Sequence, residues 1–196
     1  MRVFVGITGA SGAPYAARLL EALAAAECEV GVCASRAGIE VLATELYRNP
    51  HLSSDETLAR FLEHAGGTAT LYHEQDWSSP YASGSAKVDA YVICPCSMGT
   101  LGTIASGAMS NLIHRAASVA LKEGRRLVLV PRETPLSTIH LENMLRLREA
   151  GAVILFAAPG FYHGAERVED LVDFVVARCL DQLGVENALA PRWGEQ

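Results

Sequence analysis

A length of 196 residues predicts a single domain over 1–196, with a C-terminal tail over about 185–196. Half of the residues are hydrophobic and 19% are charged, so part of the surface is expected to be buried in an oligomer. The net charge of −6 argues against a nucleic-acid surface. No apolar run reaches the ~18 residues of a membrane span, and no secretory signal is expected at the start.

The first residues predict a buried strand, a glycine-rich turn and the start of a helix. Val3–Ile7 is apolar, Gly9–Gly12 turns the chain, and Pro14 occupies the first turn of the helix. Small residues let a phosphate approach the backbone, and free N–H groups at a helix N-terminus point toward it. This segment therefore predicts an anion site.

Strands and helices alternate along the rest of the chain. Further strands are predicted at Glu29–Ala34, Ala69–Tyr72, Ala90–Cys94, Leu127–Val130 and Ala152–Phe156. Further helices are predicted at Ala37–Tyr47, a segment ending at His64, about Met98–Glu123 with a break near Gly107, Ser137–Glu149 and Glu166–Leu183. The stretch Asp76–Ala86 is rich in Ser, Gly and Pro and is predicted to be a loop. This alternation predicts the α/β class, a three-layer Rossmann- or flavodoxin-like parallel sheet with helices on both faces.

Five cysteines, an odd number without a secretion signal, indicate reduced thiols and a cytoplasmic location. Cys94 and Cys96 form a C-x-C pair, which is neither a redox C-x-x-C motif nor a complete zinc site. We therefore expect buried thiols at a strand end and no metal.

The loops after the strands carry the polar residues that point to a ligand, because ligands bind beyond the carboxyl ends of parallel strands. The glycines of Gly6–Gly12 are spaced G-x-x-G-x-x-G, unlike the dinucleotide motif G-x-G-x-x-G. The second strand ends in Ser35 and Arg36, where an NAD site places an acid, so an NAD-dependent oxidoreductase is a remote alternative. Ser97–Thr100 offers hydroxyl and N–H groups at a helix start, which predicts either an ordinary helix cap or a ligand contact.

One predicted helix carries a polar stripe on an otherwise apolar surface. Its residues follow at i, i+4, i+7 and i+11, namely Asn111, Arg115, Ser118 and Lys122. Most such stripes are solvated, but two cations with no acid inside the stripe favour an anion pocket.

Three later segments add candidate side chains. Arg132 and Glu133 are adjacent and point to opposite sides of an extended chain, so one can hold a phosphate while the other transfers a proton; the alternative is two solvated charges. Tyr162 adds a hydroxyl, and His163 is read as a solvated loop histidine. Arg178 borders the buried face of the last helix, where it either covers apolar surface or reaches an anion.

Sequence blocks along the whole chain resemble the flavin prenyltransferase family, the UbiX-like proteins. The matching blocks are Gly-Ile-Thr-Gly-Ala-Ser-Gly from Gly6, Ala-Ser-Gly-Ser from Ala82, Ile-Cys-Pro-Cys-Ser-Met-Gly-Thr-Leu from Ile93, Asn-Leu-Ile-His-Arg-Ala-Ala from Asn111, Leu-Val-Leu-Val-Pro-Arg-Glu-Thr-Pro-Leu-Ser from Leu127, Ile-His-Leu-Glu-Asn-Met-Leu from Ile139, Ala-Pro-Gly-Phe-Tyr from Ala158 and Pro-Arg-Trp-Gly-Glu-Gln at the end. Gly124 and Phe156 depart from the family pattern, and Ala43–Gln75 matches least.

The resemblance implies a metal-independent, FMN-binding homo-oligomer, typically a dodecamer with sites at subunit junctions. Such an enzyme joins a dimethylallyl group from dimethylallyl phosphate to reduced FMN at N5 and C6. Its product, prenylated FMN, is the cofactor of a UbiD-type decarboxylase. The FMN contacts implied are Gly9, Ala10, Ser11, Ser35, Ser97, Met98, Gly99, Thr100 and Arg132. The residues implied around the prenyl phosphate are Ser85, Arg115, Lys122, Glu133, Tyr162 and Arg178, with Glu133, Lys122, Arg115 and Ser11 as catalytic residues.

The chemistry agrees with this residue set. Breaking an allylic C–O bond leaves a phosphate and a delocalised cation, and the cationic side chains of the set would stabilise the phosphate. Either Glu133 or the phosphate itself handles a proton, and the set leaves open whether the leaving group is a monophosphate or a diphosphate. Trp77 or Trp193 is a candidate for shielding the cation.

Two other functions stay open. An FMN-dependent decarboxylase of the peptidyl-cysteine type carries a catalytic His on its first helix and a Pro-Ala-Ser-Ala-Asn-Thr block, and this chain has neither. A non-catalytic flavin carrier would bind FMN without needing Arg115 and Lys122.

Overall fold

In the computed structural model, which describes residues 1–192 and 194, six strands form one parallel sheet. The strands are β1 (Arg2–Ile7), β2 (Glu29–Ala34), β3 (Ala69–Leu71), β4 (Ala90–Cys96), β5 (Arg126–Pro131) and β6 (Val153–Ile154). Their order in space is β3-β2-β1-β4-β5-β6, so the direction of winding reverses between β1 and β4. The carboxyl ends of these two strands are where such sheets hold ligands.

Helices cover both faces of the sheet. The described residues include α1 (Ala13–Ala25), α2 (Arg36–Glu45), α3 (Ser54–Glu63), α4 (Met98–Ser106), α5 (Leu112–Lys122), α6 (Thr138–Glu149) and α7 (Val168–Leu183). Val3 and Val5 of β1 pack with α1, α2, α3 and α7, whereas Phe4 points to the opposite face and packs with α4, α5 and α6. The three-layer α/β class is thereby confirmed. None of these helices is both long and apolar enough to cross a membrane.

The structure confirms some of the predicted element bounds and changes others. The break between α4 and α5 lies at Gly107, which is left-handed with a φ of 79°, as predicted. The segment Asp76–Ala86 is not entirely irregular, because Pro80–Ala82 forms a 3₁₀ turn. Its Tyr81 ring is buried beneath Gly31 of β2, where any added Cβ would overlap the ring. A single buried aromatic side chain therefore holds a stretch whose composition is that of a loop.

Close packing of α2 against β1 depends on Gly38. A Cβ at Gly38 would lie 2.5 Å from the backbone oxygen of Ile7. Gly38→Ala is expected to lower the free energy of unfolding by about 1–3 kcal/mol, because backbone atoms must shift. The matched control is Gly99→Ala in the first turn of α4, where the nearest atom to a new Cβ is 3.9 Å away. That variant is expected to be unchanged or up to about 1 kcal/mol more stable. Denaturant unfolding without flavin measures both, and equal losses would contradict this role of Gly38.

Candidate active site

The loops that follow β1, β4 and β5 are held together at the carboxyl edge of the sheet. The backbone N–H and the hydroxyl of Thr8 donate to the carbonyl of Pro95 at 3.1 and 3.0 Å. The N–H of Ser97 donates to the Thr8 hydroxyl at 2.7 Å, and Nε of Arg132 donates to the carbonyl of Ser11 at 3.4 Å. These hydrogen bonds therefore hold three loops that are distant in sequence at the same edge of the sheet.

The start of α2 lies against the same edge. The N–H of Ser35 donates to the carbonyl of Ile7 at 2.9 Å, and the Ser35 hydroxyl caps α2 by accepting from the N–H of Gly38 at 3.1 Å. A Cβ at Gly9 would lie 2.6 Å from the Cβ of Ala37, so the glycine loop and α2 are in direct contact. The residues expected to contact FMN consequently lie on neighbouring loops and at the N-termini of α2 and α4.

The N-terminus of α4 has the features of both predicted interpretations. The Ser97 hydroxyl accepts from the N–H of Thr100 at 3.2 Å, so Ser97 is a helix cap. Among the described residues, the N–H groups of Met98 and Gly99 have no hydrogen-bond acceptor, and the space next to Gly99 is open. Because unpaired N–H groups at a helix start attract an anion or a polar ring edge, this cradle suits a flavin nucleotide.

The N-terminus of α1 is occupied by the protein itself. Oε2 of Glu45, the last residue of α2, accepts from the N–H groups of Gly12 and Ala13 at 2.9 and 2.8 Å. The sequence predicts that the N–H groups of Gly12 and Ala13 are free for an anion, but in this structure they are paired with a carboxylate. Sequence reasoning missed Glu45 because nothing local marks it: only the packing of α2 brings its carboxylate to the glycine loop.

Two further side chains stand at this edge. Glu133 is half-buried, and its Oε1 accepts from the N–H of Thr134 at 3.0 Å. The side chain of Ser11 is exposed and has no hydrogen-bond partner within the described part of the chain. A carboxylate and a free hydroxyl thus lie beside the loops expected to hold FMN.

The polar stripe on α5 differs from its prediction in two respects. Asn111 precedes the helix and caps it, accepting from the N–H of His114 at 3.0 Å. Lys122 pairs with the carboxylate of Glu123 and thereby lowers the pKa of Glu123, so the prediction of two unpaired cations is wrong for Lys122. Arg115 is half-buried and its Nε donates to the carbonyl of Ala82 at 2.9 Å, with no carboxylate partner among the described residues.

The two ends of α5 lie at opposite edges of the sheet. The N–H of Leu112 donates to the carbonyl of Glu74 beyond β3 at 2.7 Å, which places the start of α5 toward the carboxyl edge. Lys122 is about 15 Å farther along the helix axis, shortly before β5 begins. Ser85 lies near this amino edge as well, since Arg125 binds the carbonyl of its neighbour Gly84 at 2.6 Å.

Tyr162 and Arg178 lie on the other face of the sheet. Helix α7, which carries Arg178, packs on α1, and Arg18 of α1 pairs with Asp173 of α7 at 2.5 Å. Tyr162 and Arg178 line one cavity of about 500 Å³. Within one protomer, the structure therefore does not bring together the residues expected around the prenyl phosphate: Arg115 and Lys122 lie on one face, Tyr162 and Arg178 on the other.

His163 is not the solvated histidine that the sequence predicts. Its ring stacks on Phe174 with a centroid distance of 5.1 Å and an angle of 9°. Both ring nitrogens are buried and lack a hydrogen-bond partner among the described residues. The histidine thus packs as an aromatic ring beside Tyr162, whose own ring meets Phe174 edge-on at 5.7 Å.

The cysteines are free and buried, as predicted. Burial raises the pKa of Cys96 to about 12 and raises that of Cys94 well above its usual value, so both thiols stay protonated. Protonated thiols are poor metal ligands. The described residues contain no cluster of His, Cys, Asp or Glu suited to a metal ion.

Comparison with known proteins gives consistent matches. A family model described as Flavoprotein matches residues 1–180. Flavin prenyltransferase UbiX from Pseudomonas aeruginosa is 54% identical over 199 residues, covering 100% of this chain and 95% of that protein. A dodecameric FMN-dependent UbiX-like decarboxylase from Escherichia coli O157:H7 has a TM-score of 0.87 at 42% identity, covering 98% of this chain and 99% of that one. AnUbiX in complex with FMN and dimethylallyl pyrophosphate also has a TM-score of 0.87, at 39% identity, covering 98% and 97%.

Glu45 offers a test of how the glycine loop is held. Glu45→Ala leaves two N–H groups unpaired and is expected to lower the free energy of unfolding by about 1–3 kcal/mol. FMN affinity should fall as well, because the loop next to Ser11 loses its anchor. Glu40→Ala is the matched control, since Glu40 lies exposed on the same helix and forms an ion pair with the exposed Arg36 at 3.4 Å. Unfolding and flavin-fluorescence titrations measure both properties, and identical behaviour of the two variants would refute the anchoring role.

Proposed function

Since the chain belongs to the flavin prenyltransferase (UbiX) family, we propose that it transfers a dimethylallyl group from dimethylallyl phosphate to N5 and C6 of reduced FMN. The observation that supports this most strongly is the meeting of the loops after β1, β2, β4 and β5 at one edge, with Glu133 beside them. The proposed product is prenylated FMN. The proposed enzyme is a transferase that uses no metal.

The residues proposed to hold FMN share one character: small side chains, hydroxyls and free N–H groups around a cation. They are Gly9, Ala10, Ser11, Ser35, Ser97, Met98, Gly99, Thr100 and Arg132. The open N-terminus of α4 and the guanidinium of Arg132 favour the anionic or carbonyl parts of a flavin nucleotide. When bound and reduced, FMN supplies the nucleophilic atoms N5 and C6.

The phosphate of the second substrate is proposed to be held by Ser85, Arg115, Lys122, Tyr162 and Arg178. As the allylic C–O bond breaks, negative charge develops on the departing phosphate, and fixed cations stabilise it most at that moment. Glu133 is proposed to transfer a proton at the phosphate oxygen or to accept one. Lys122 must exchange its partner Glu123 for the phosphate, which is inexpensive for an exposed ion pair.

We also propose that the complete site forms between subunits. Arg115 and Lys122 lie on the α5 face and Arg178 on the α7 face, so a second copy is needed to unite them. Exposed apolar side chains support such an assembly, with 66% of Ile139, 60% of Leu145 and 74% of Phe161 accessible. Apolar side chains that are exposed in one protomer are available for burial between subunits. A dodecamer, as described for the Escherichia coli relative, is the proposed assembly.

The partner and location follow from the same proposal. Prenylated FMN would be passed to a UbiD-type decarboxylase. The five buried, free thiols support a reducing compartment, the cytoplasm. Of the two tryptophans considered for shielding the cation, Trp77 is 46% exposed, and Trp193 lies outside the described residues.

Mass spectrometry of the released flavin tests the reaction. Anaerobic incubation of the protein with FMN, a reductant and dimethylallyl phosphate is expected to yield FMN heavier by one isoprenyl unit. Glu133→Gln should slow this conversion at least ~100-fold while leaving FMN affinity within a factor of about two, because the carboxylate acts on a proton and not on flavin binding. Unmodified FMN from an intact complex would favour a flavin carrier or a decarboxylase. Parallel losses of rate and affinity in Glu133→Gln would remove its catalytic role.

Subunit mixing tests the shared site. Arg115→Ala and Arg178→Ala are each expected to be inactive, because each removes a cation from every site. Randomly mixed oligomers of the two variants should regain about a quarter of wild-type activity, since some junctions then receive both arginines from different copies. Mixing Arg115→Ala with the double variant is the control and should regain none. Failure of the first mixture to regain activity, with mixed oligomers verified by mass, would show that both arginines act within one chain.

A further inference from the structure

Asp181 of α7 joins the side chain proposed to hold the phosphate to the C-terminal segment of the chain. Its Oδ2 accepts from Nη1 of Arg178 at 2.8 Å, and its Oδ1 accepts from Nη2 of Arg192 at 3.1 Å. Nδ2 of Asn187 also donates to Oδ1, at 3.2 Å. One carboxylate thus binds three donors, and it ties the segment around Asn187 and Arg192 to α7 in the wall of the 500 Å³ cavity.

The burial of these groups is unequal. The side chain of Asp181 is 19% exposed, whereas those of Arg178 and Arg192 are 54% and 48% exposed. The carboxylate therefore forms part of the cavity wall, while both guanidinium groups remain accessible to an anion. Because its surroundings are partly desolvated, the charge of Asp181 acts more strongly on a nearby ligand than a surface charge would.

The balance of charge in this wall is set by Asp181. Two guanidinium groups and one carboxylate leave a single net positive charge from this protomer, and without the carboxylate the wall would carry two. A phosphate monoester has about two negative charges at neutral pH, and a diphosphate ester has roughly one more. Each added negative charge on the ligand is attracted by the two guanidinium groups and repelled by the carboxylate of Asp181.

We propose that Asp181 is a specificity-determining residue that limits the positive charge of this cavity and so favours a monophosphate over a diphosphate leaving group. The proposal rests on the proposed function, in which Arg178 binds the prenyl phosphate. Asp181 does not itself donate to a phosphate. It acts by opposing the additional charge of the second phosphoryl group and by holding Arg178 and Arg192 at fixed positions.

Calorimetric titration of the FMN-loaded full chain with inorganic phosphate and with pyrophosphate tests this without turnover. Asp181→Asn is expected to raise the ratio of pyrophosphate to phosphate affinity about tenfold, because the opposing charge is gone while the shape is kept. Asp181→Glu should restore the wild-type ratio. Glu169→Gln removes an equal charge at the other end of α7 and should leave the ratio within a factor of about two.

A second variant keeps the test decisive where Asp181→Asn does not fold. Arg192→Gln leaves Asp181 paired with Arg178 alone, so the same ratio should fall by a comparable factor. An unchanged ratio in Asp181→Asn, an equal rise in Glu169→Gln, or the absence of phosphate and pyrophosphate binding would each overturn the proposal. If Asp181→Asn is unfolded, a rise or no change in Arg192→Gln would do so.

Turnover separates this proposal from the proposed function. With dimethylallyl monophosphate and diphosphate as substrates, Asp181→Asn should raise the diphosphate-to-monophosphate ratio of kcat/KM. The change should appear in KM and not in kcat. If the wild type makes prenylated FMN and the diphosphate-to-monophosphate ratio of kcat/KM is unchanged in Asp181→Asn, only the role of Asp181 is refuted. A changed ratio of pyrophosphate to phosphate affinity in a protein that makes no prenylated FMN would refute only the prenyl transfer.

Discussion

The hydroxyl of Thr8 joins the two central strands at the point where the chain reverses its winding direction. This buried group donates to the carbonyl of Pro95 and accepts from the N–H of Ser97, so the ends of β1 and β4 are fixed against each other. A buried hydroxyl with both roles satisfied resists displacement, because losing either partner leaves a polar atom unpaired. The glycine loop and the start of α4 both emerge from this junction, and their separation depends on it.

The two helix N-termini beside this junction are used in different ways. That of α1 is neutralised by Glu45, whereas that of α4 is capped by Ser97 and otherwise open. An internal carboxylate at α1 stiffens the glycine loop and removes it as a competing anion site. Under the proposed function, α4 and Arg132 would then hold an anionic or carbonyl part of the flavin nucleotide. Rigid loops lower the entropy lost on binding, which is how a small site gains affinity.

The cations proposed to receive the phosphate have different partners in the protomer. Lys122 pairs with Glu123 and Arg178 with Asp181, while Arg115 donates to a carbonyl and a thioether and has no carboxylate partner among the described residues. The exposed pair of Lys122 and Glu123 is weak, so a phosphate dianion competes for Lys122 effectively. Their division between opposite faces of the sheet makes assembly a condition for catalysis under the proposed mechanism. Stability of the oligomer and activity would then rise and fall together.

The sequence by itself determined the strands, the helices and the ligand edge, because these follow from local hydrophobic periodicity and from glycine and helix-cap residues such as Gly107 and Ser97. It also indicated the family through short blocks that keep their residues in order. Only the tertiary structure decided that Glu45 fills one helix end, that Lys122 is paired, and that Arg115 and Arg178 lie on opposite faces. Apart from the adjacent Lys122 and Glu123, these features involve residues far apart in the chain. Their contacts depend on how helices pack on the sheet, and no local pattern encodes that packing.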